Sequence, residues 1–424
     1  MKKIFPTRKK GISFLSKKWI LAICLVSIAG NTPATQPPKS GKAYVVSNAH
    51  MDTQWLWTVQ TSIIDYIPRT IYQNLALIRD YPNYIFNFEG AVKYNWMKEY
   101  YPLDYEKVKE AIKNGRWHVS GSSWDANDVN VPSPESSFRN ILLGQEFYKK
   151  EFGLKSTDIF LPDCFGFGYT LPSIAKHCGL IGFSTQKLGW RKKPFYGDSK
   201  IPFTIGRWKG IDGAELICAL DCGSYVHNFK DDDLTRDNDL IQRVERDPMH
   251  TAYRYFGAGD RGGSAMPVSA MAIEKAQVSG DGPIEIVCAS SDQLYKDYLH
   301  SGKVKELPVF DGELLMDVHA SGCYTSQSAM KRFNRRNEQL ADAAERASVI
   351  AEWLGALPYQ SKTLTESWQR FIWHQFHDDL TGTSIREAYP FSWNDEILSQ
   401  TQFMQVMNTA SGAVISGMNT KVKG

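Results

Sequence analysis

The sequence predicts a largely parallel α/β domain followed by a helical bundle. Short apolar strands alternate with amphipathic helical stretches from residue 43 to residue 184, the grammar of a parallel sheet whose crossovers are helices. That grammar stops near residue 326, beyond which strand formers nearly vanish and residues 327–356 run at helical spacing. At 424 residues the chain also exceeds the size at which one core stops growing. The division read from this is a leader and short linker over residues 1–36, an α/β domain over 37–326 and a helical bundle over 327–424.

Taken in order, residues 43–49 (Ala-Tyr-Val-Val-Ser-Asn-Ala) form a strand buried on both faces. Residues 61–79 are helical, with Pro68 in a first turn or at a kink. A strand at 85–88 leads into a helical stretch ending near Tyr100. The charged helix 105–114 is closed by Gly115, and 117–120 is the next strand. Helix 135–151, strand 158–161, helix 171–177 and strand 181–184 repeat the pattern. From 190 to 325 the elements are less regular, with strands at 214–220 and 284–288 and a glycine-rich loop at 257–263. The bundle comprises helix 327–356, helix 363–380 and a third helix from about 392 to 409, followed by a frayed glycine- and serine-rich tail.

Charge argues against a nucleic-acid partner. The formal net charge is +3, but Lys2, Lys3, Arg8, Lys9, Lys10, Lys17 and Lys18 crowd the first 36 positions. The remainder holds 42 basic against 46 acidic residues, a net charge of −4, with no basic patch. The basic start runs into an apolar stretch over residues 19–30, the pattern of a secretory signal and too short for a membrane span. A secreted or periplasmic protein is the expectation, an uncleaved N-terminal anchor the alternative. After the leader, six dispersed cysteines read as buried thiols, with Cys218 and Cys222 the nearest pair for a bridge. Twelve tryptophans, twenty tyrosines and twenty-one phenylalanines suit the apolar faces of sugars as well as a core.

Three separated segments carry chemistry. His50-Met51-Asp52 follows the first strand, and i,i+2 side chains of an extended segment point the same way. Imidazole with carboxylates suits zinc, and manganese or cobalt are also admitted; polar strand-end residues are the ordinary alternative. Asp163 stands between Pro162 and a glycine-containing loop, a costly place for a charge unless a metal satisfies it, and there it is oriented for nucleophilic attack. His374, His377, Asp378 and Asp379 crowd the end of the second bundle helix, where either histidine can be a ligand. Trp55 is a sugar-stacking floor or a core residue. Alternation over 313–319 puts Glu313, Leu315, Asp317 and His319 on one strand face, supplying a second carboxylate to protonate a leaving group.

These residues resemble the glycoside hydrolase family 38 α-mannosidases. The matches are His50-x-Asp52-x-x-Trp55, Pro162-Asp163-Cys164-Phe165-Gly166, Gly259-Asp260-Arg261-Gly262-Gly263, Gly322-Cys323-Tyr324-Thr325-Ser326-Gln327, and His377-Asp378-Asp379-Leu380-Thr381-Gly382-Thr383-Ser384. They span roughly residues 43–400. The resemblance implies a seven-stranded barrel-like α/β catalytic domain, a three-helix bundle, and one Zn2+ held by His50, Asp52, Asp163 and His377. It implies a retaining exo-acting mannosidase in which Asp163 attacks the sugar, Asp317 is the general acid with Glu313 in reserve, Asp378 hydrogen-bonds the sugar and Trp55 stacks beneath it. The partner would be a mannose-containing glycan or oligosaccharide. Full-length family members continue into β-sandwich domains, whereas this sequence ends at Gly424, so an uncovered apolar bundle face is expected. The competing readings are a metal-dependent polysaccharide deacetylase, with a metal-bound water as nucleophile, and a truncated, non-catalytic carbohydrate-binding remnant.

Overall fold

The computed structural model describes residues 39–192, 201–316, 319–419 and 421. The leader expected over residues 1–36 and the candidate acid Asp317 lie outside the described residues.

Strand β1 (Gly41–Ala49) is the centre of the first sheet, and its apolar run is buried on both faces as the sequence predicts. β2 is Phe86–Glu89 and β3 Trp117–Ser120; β4 is Asp158–Phe160, β5 Gly166–Phe167 and β6 Gly182–Ser184. β7 is Ile205–Lys209, β8 Glu215–Ala219, β9 Thr251–Ala258, β10 Ile284–Cys288, β11 Val309–Asp311 and β12 Leu314–Leu315. β9 pairs with β1 in parallel from Lys42↔Thr251 to Ala49↔Ala258. The other edge of β1 is shared, first by β10 and then by β2, and β2 pairs onward with β3. A second sheet has the order β11-β7-β8-β6-β4, parallel except for β7 against β8, and β12 and β5 form a small antiparallel pair.

The expected seven-stranded barrel is not shown as one closed ladder. The two five-stranded sheets meet at two seams, each made by isolated backbone hydrogen bonds. Ser122 N–H donates to Asp158 O at 2.9 Å beside β3 and β4; Tyr255 N–H donates to Cys222 O at 2.8 Å beside β9 and β8. Parallel pairing nevertheless brings the C-terminal ends of β1, β2, β4, β6 and β9 to one side. His50, Glu89, Asp163, Lys187 and Asp260 all follow or close those strands, the end at which α/β folds gather their chemistry.

Several elements depart from the sequence reading for identifiable reasons. The first helical stretch spans Val59 to Asp80, but Ser62–Tyr66 is a π segment and regular α-helix starts at Ile67. Pro68 lacks an N–H and its ring crowds the preceding turn, so the wider π turn accommodates it. Among the described residues of the strand expected over 313–319, Leu314–Leu315 is a strand and Glu313 is exposed. The helix expected over 363–380 ends at Trp373. His374, Gln375 and Phe376 donate to Phe371, Ile372 and Trp373 in tighter turns, and His377 N–H then donates to Ala126 O at 3.3 Å. The last helix, Tyr389–Ser416, runs through the segment expected to fray.

The helices Ser328–Trp353, Ser361–Trp373 and Tyr389–Ser416 follow the α/β part. Trp368, Phe371 and Phe403 are buried in the same apolar core as Phe88, Trp96 and Trp117 from the α/β part. Arg139 grips Glu345 in a two-bonded fork at 3.0 and 2.6 Å, fastening helix Pro134–Phe152 to the first of them. Trp353 is 84% exposed, and Leu354, Ile397 and Met418 also face solvent, so the described helices do carry uncovered apolar surface. All six described cysteines are free thiols, including Cys218 and Cys222.

Candidate active site

The His50 loop is clipped from two directions. Asp52 N–H donates to Asp260 O at 2.8 Å, and Gly262 N–H donates to His50 O at 3.2 Å. Gly262 has φ +64, and a Cβ there would stand 2.5 Å from Thr70 Oγ1, so the Gly-Asp-Arg-Gly-Gly segment needs glycine at this position. Beyond β4, Asp163 enters before Gly166, whose φ of +99 lets the chain turn against the backbone of Leu315 and Met316. At the bundle end, Thr383 N–H and Ser384 N–H both donate to Asp378 O at 3.1 Å, closing the Thr-Gly-Thr-Ser turn on that residue.

These segments converge. His50 Nε2 lies 3.0 Å from Asp52 Oδ1, and His377 Nε2 lies 3.3 Å from the same oxygen. His377 Nε2 is also 3.8 Å from Asp163 Oδ2 and 3.8 Å from Asp378 Oδ2. His50, Asp163 and His377 share donor atoms within 4.8 Å of one another, as do Asp52, His377 and Asp378. All are buried, with Asp163 the most open at 9% exposure.

The donor set fits a divalent cation. Each imidazole is oriented through its Nδ1: His50 against Glu89 Oε1 at 3.0 Å, His377 against Ala126 O at 2.7 Å. Both partners are hydrogen-bond acceptors, so Nδ1 carries the proton and Nε2 presents its lone pair to the site. His50 Nε2, Asp52 Oδ1 and His377 Nε2 have no hydrogen-bond partner although all are buried. Three orphaned donor atoms aimed at one another are costly unless a cation lies between them. Two imidazoles with carboxylate oxygens are a ligand set that zinc accepts.

Protonation of the cluster points the same way. Burial lowers the His50 pKa, but the charges of Asp52 and Glu89 outweigh it and push it up to about 10. Burial raises Asp52, yet the two imidazoles hold it well below the usual carboxylate range. Burial, reinforced by Asp52, pushes the Asp378 carboxyl up to about 7. Without a cation, a proton supplies the positive charge that the gathered carboxylates call for, and a metal at Nε2 would take that proton's place.

Asp163 has two further partners. Lys187 Nζ donates to its Oδ1 at 2.7 Å, and Tyr225 Oη stands 3.3 Å from the same oxygen. Tyr225 Oη is also 2.7 Å from Asp260 Oδ1. One phenol oxygen therefore joins two carboxylates whose oxygens are at most about 6 Å apart, short of the roughly 6.5–9.5 Å of inverting glycosidases and compatible with the roughly 5–5.5 Å of retaining ones. Burial raises the Asp260 carboxyl from its ordinary value, with the Tyr225 hydrogen bond opposing. Sequence motifs place Asp260 in a matched loop but give it no role; its signal is a carboxylate in a glycine-rich loop after a strand. Tyr225, Lys187 and Glu89 lie in segments with no recognisable pattern.

The remaining candidates separate. Asp378 is in the cluster, its Oδ1 accepting from Thr383 Oγ1. Trp55 is half-buried on the His50 loop, edge-on to Trp57 at 6.0 Å, and its carbonyl accepts from Ile385 N–H at 2.7 Å. His374 is not with His377: its Nδ1 meets Asp379 at 2.6 Å and its Nε2 meets Asp395 at 3.2 Å, inside the bundle. Glu313 is exposed and in neither group.

Comparison with known proteins matches this chain to two family models. Residues 40–313 match the glycosyl hydrolases family 38 N-terminal domain, and residues 319–410 match the alpha mannosidase middle domain. Alpha-mannosidase G of Dictyostelium discoideum is 32% identical over 382 residues, covering 89% of this chain and 33% of its own length. Alpha-mannosidase of Saccharomyces cerevisiae is 30% identical over 362 residues, covering 82% of this chain and 32% of its own. The chain thus spans about one third of the length of these curated relatives. Among solved structures, an alpha-mannosidase from Enterococcus faecalis V583 superposes with a TM-score of 0.75 at 17% identity, over 91% of this chain and 44% of that one, and shares its fold.

Proposed function

Because this chain belongs to glycosyl hydrolase family 38, we propose that it forms the catalytic part of a zinc-dependent, exo-acting α-mannosidase. It would release terminal α-linked mannose from glycans with retention of configuration. The observation that carries this reading is the Tyr225 bridge between Asp163 and Asp260 beside the His50, Asp52 and His377 cluster. A nucleophile and an acid at that spacing suit double displacement.

In this reading Asp163 forms a bond to the anomeric carbon as the glycosidic carbon–oxygen bond breaks. Lys187, at 2.7 Å, orients the attacking carboxylate. The departing oxygen takes a proton from a carboxylic acid. Asp260 is the described carboxylate best suited to give it, being partly buried, raised from its ordinary value and joined to Asp163 through Tyr225; Asp317 is the alternative from sequence. The same residue, now ionised, then draws a proton from water that opens the glycosyl ester. Asp378 accepts a hydrogen bond from a sugar hydroxyl, and Trp55 stacks on the sugar's apolar face. A zinc ion held by His50, Asp52, Asp163 and His377 would supply positive charge to sugar hydroxyls and favour the distorted ring.

The deacetylase reading needs no carboxylate nucleophile and leaves the Asp163–Asp260 pairing without a task. Secretion or periplasmic export remains part of the proposal on the strength of the basic and apolar leader, and the amino-terminal sequence of exported protein tests it. The covalent step has its own test. A slow fluorinated mannosyl substrate should add one glycosyl mass to the peptide containing Asp163. Turnover with labelling at another residue would reject Asp163 as nucleophile.

A further inference from the structure

Behind the cluster lies a second set of charges that the proposed chemistry does not use. Lys93, Glu89 and Asp125 are all 0% exposed. Lys93 sits one turn after Glu89 on helix Ala91–Tyr100, which begins immediately beyond β2. Its Nζ donates to Glu89 Oε1 at 3.0 Å and lies 3.7 Å from Asp125 Oδ1. Gly90 makes this approach close: a Cβ there would stand 3.1 Å from Asp125 Oδ1 and 3.3 Å from Lys93 Cε.

Each carboxylate leads to the ligand set. Glu89 Oε1, the atom that Lys93 touches, also holds His50 Nδ1 at 3.0 Å. Asp125 accepts from Thr53 Oγ1 at 3.1 Å, and Thr53 adjoins Asp52. Asp125 Oδ1 accepts from Ala126 N–H at 2.8 Å, and Ala126 O in turn accepts from His377 Nδ1 at 2.7 Å. One buried ammonium therefore underlies the contacts that aim both imidazoles and the Asp52 loop. A buried ion pair placed for stability alone is poorly rewarded, because desolvation offsets most of its attraction. A charge whose two arms end on three ligand segments has a positioning task.

We propose that Lys93 is a positioning residue for the metal site, fixing Glu89 behind His50 and Asp125 behind Asp52 and His377, and so sets the affinity for the divalent ion. This rests on the reading of His50, Asp52, Asp163 and His377 as metal ligands. Failure of the wild-type protein to bind zinc would sink that reading and the inference with it. Zinc binding by wild type leaves the role of Lys93 to be decided by its own variants.

The test is the zinc dissociation constant, measured by competition with a chromophoric chelator, alongside the melting temperature of the metal-free protein. Lys93→Met, Glu89→Gln and Thr53→Val are compared with wild type. Loss of an outer partner of a metal ligand weakens affinity by about 10–100-fold. Lys93→Met and Glu89→Gln should each do so, and the double variant should bind no more weakly than the weaker single one. Thr53→Val should weaken binding less, since it cuts one arm. Lys93→Met that melts earlier but binds zinc as wild type does would make the lysine merely structural and overturn the proposal. Should Lys93→Met fail to fold, the near-isosteric Glu89→Gln decides: unchanged zinc affinity in that variant overturns it equally.

Discussion

His377 Nε2 stands 3.3 Å from Asp52 Oδ1, and neither atom has a hydrogen-bond partner. The two residues come from opposite ends of the described chain. Asp52 arrives on a strand-end loop, His377 on a turn that ends a bundle helix. Burying both without satisfying either is the arrangement of a site completed by a shared cation.

Metal should therefore stabilise the fold. At a free zinc concentration 100 times the dissociation constant, binding adds about 2.7 kcal/mol to unfolding free energy. His50→Ala or His377→Ala should abolish that gain. Calorimetry with and without zinc checks it, and an equal gain in His377→Ala would remove His377 from the ligand set.

Asp163→Asn should reduce turnover of an aryl α-mannoside by roughly 10³-fold or more, as loss of a nucleophile does. Removing the acid should cost about 10²–10⁴-fold on a poor leaving group and far less on a good one. Asp260→Asn is predicted to show that dependence. Should Asp317→Asn show it instead, the proton donor is Asp317.

Much of this centre is legible in the sequence because its ligands sit in compact motifs at strand ends. His50-x-Asp52, the Pro162-Asp163 loop and His377-Asp378 can each be recognised alone. Glu89 and Lys93 cannot, since a glutamate and lysine four apart at a helix start normally read as a solvent-facing pair. Both are nevertheless fully buried, because Glu89 closes β2 opposite Ser120 of β3 and Lys93 reaches back to it from the following helix. Sequence pattern carries the second bundle helix too far because Phe376 and Leu380 continue its apolar spacing, while the contact that ends it, to Ala126, is made with a segment some 250 residues earlier. Closure of the sheets is likewise set by a few seam contacts that no local pattern encodes.

Glu396 makes the bundle pH-sensitive. Burial pushes its carboxyl from 4.5 up to about 8, and the neighbouring His374 charge and Asn337 amide oppose only part of this. The folded value lies above the unfolded one, so its contribution is complete below pH 4.5 and lost as pH rises through 8. Glu396→Gln should flatten that loss, by about 1.4 kcal/mol for each tenfold change in proton affinity between the unfolded and folded carboxyl. Denaturation at pH 5 and pH 8 reads it; a variant that loses stability with pH as steeply as wild type would contradict the assignment.

His374 should prove structural. Its ring bridges Asp379 and Asp395, and Arg370 adds an ion pair to Asp395 at 2.6 Å. His374→Ala leaves buried carboxylates facing one another and should cost about 3–5 kcal/mol. Metal stoichiometry, measured on the folded variant by atomic emission, should stay as in wild type. A stoichiometric loss of metal would bring His374 into the site.

The central claim is that a cation and Asp163 act together on an α-mannoside. The most direct test is hydrolysis of an activated aryl α-mannoside by the purified chain, before and after chelation, with Asp163→Asn alongside. Activity abolished by chelator, restored by zinc and absent from the variant is the predicted result. Hydrolysis that survives complete metal removal, or that Asp163→Asn retains, would contradict it.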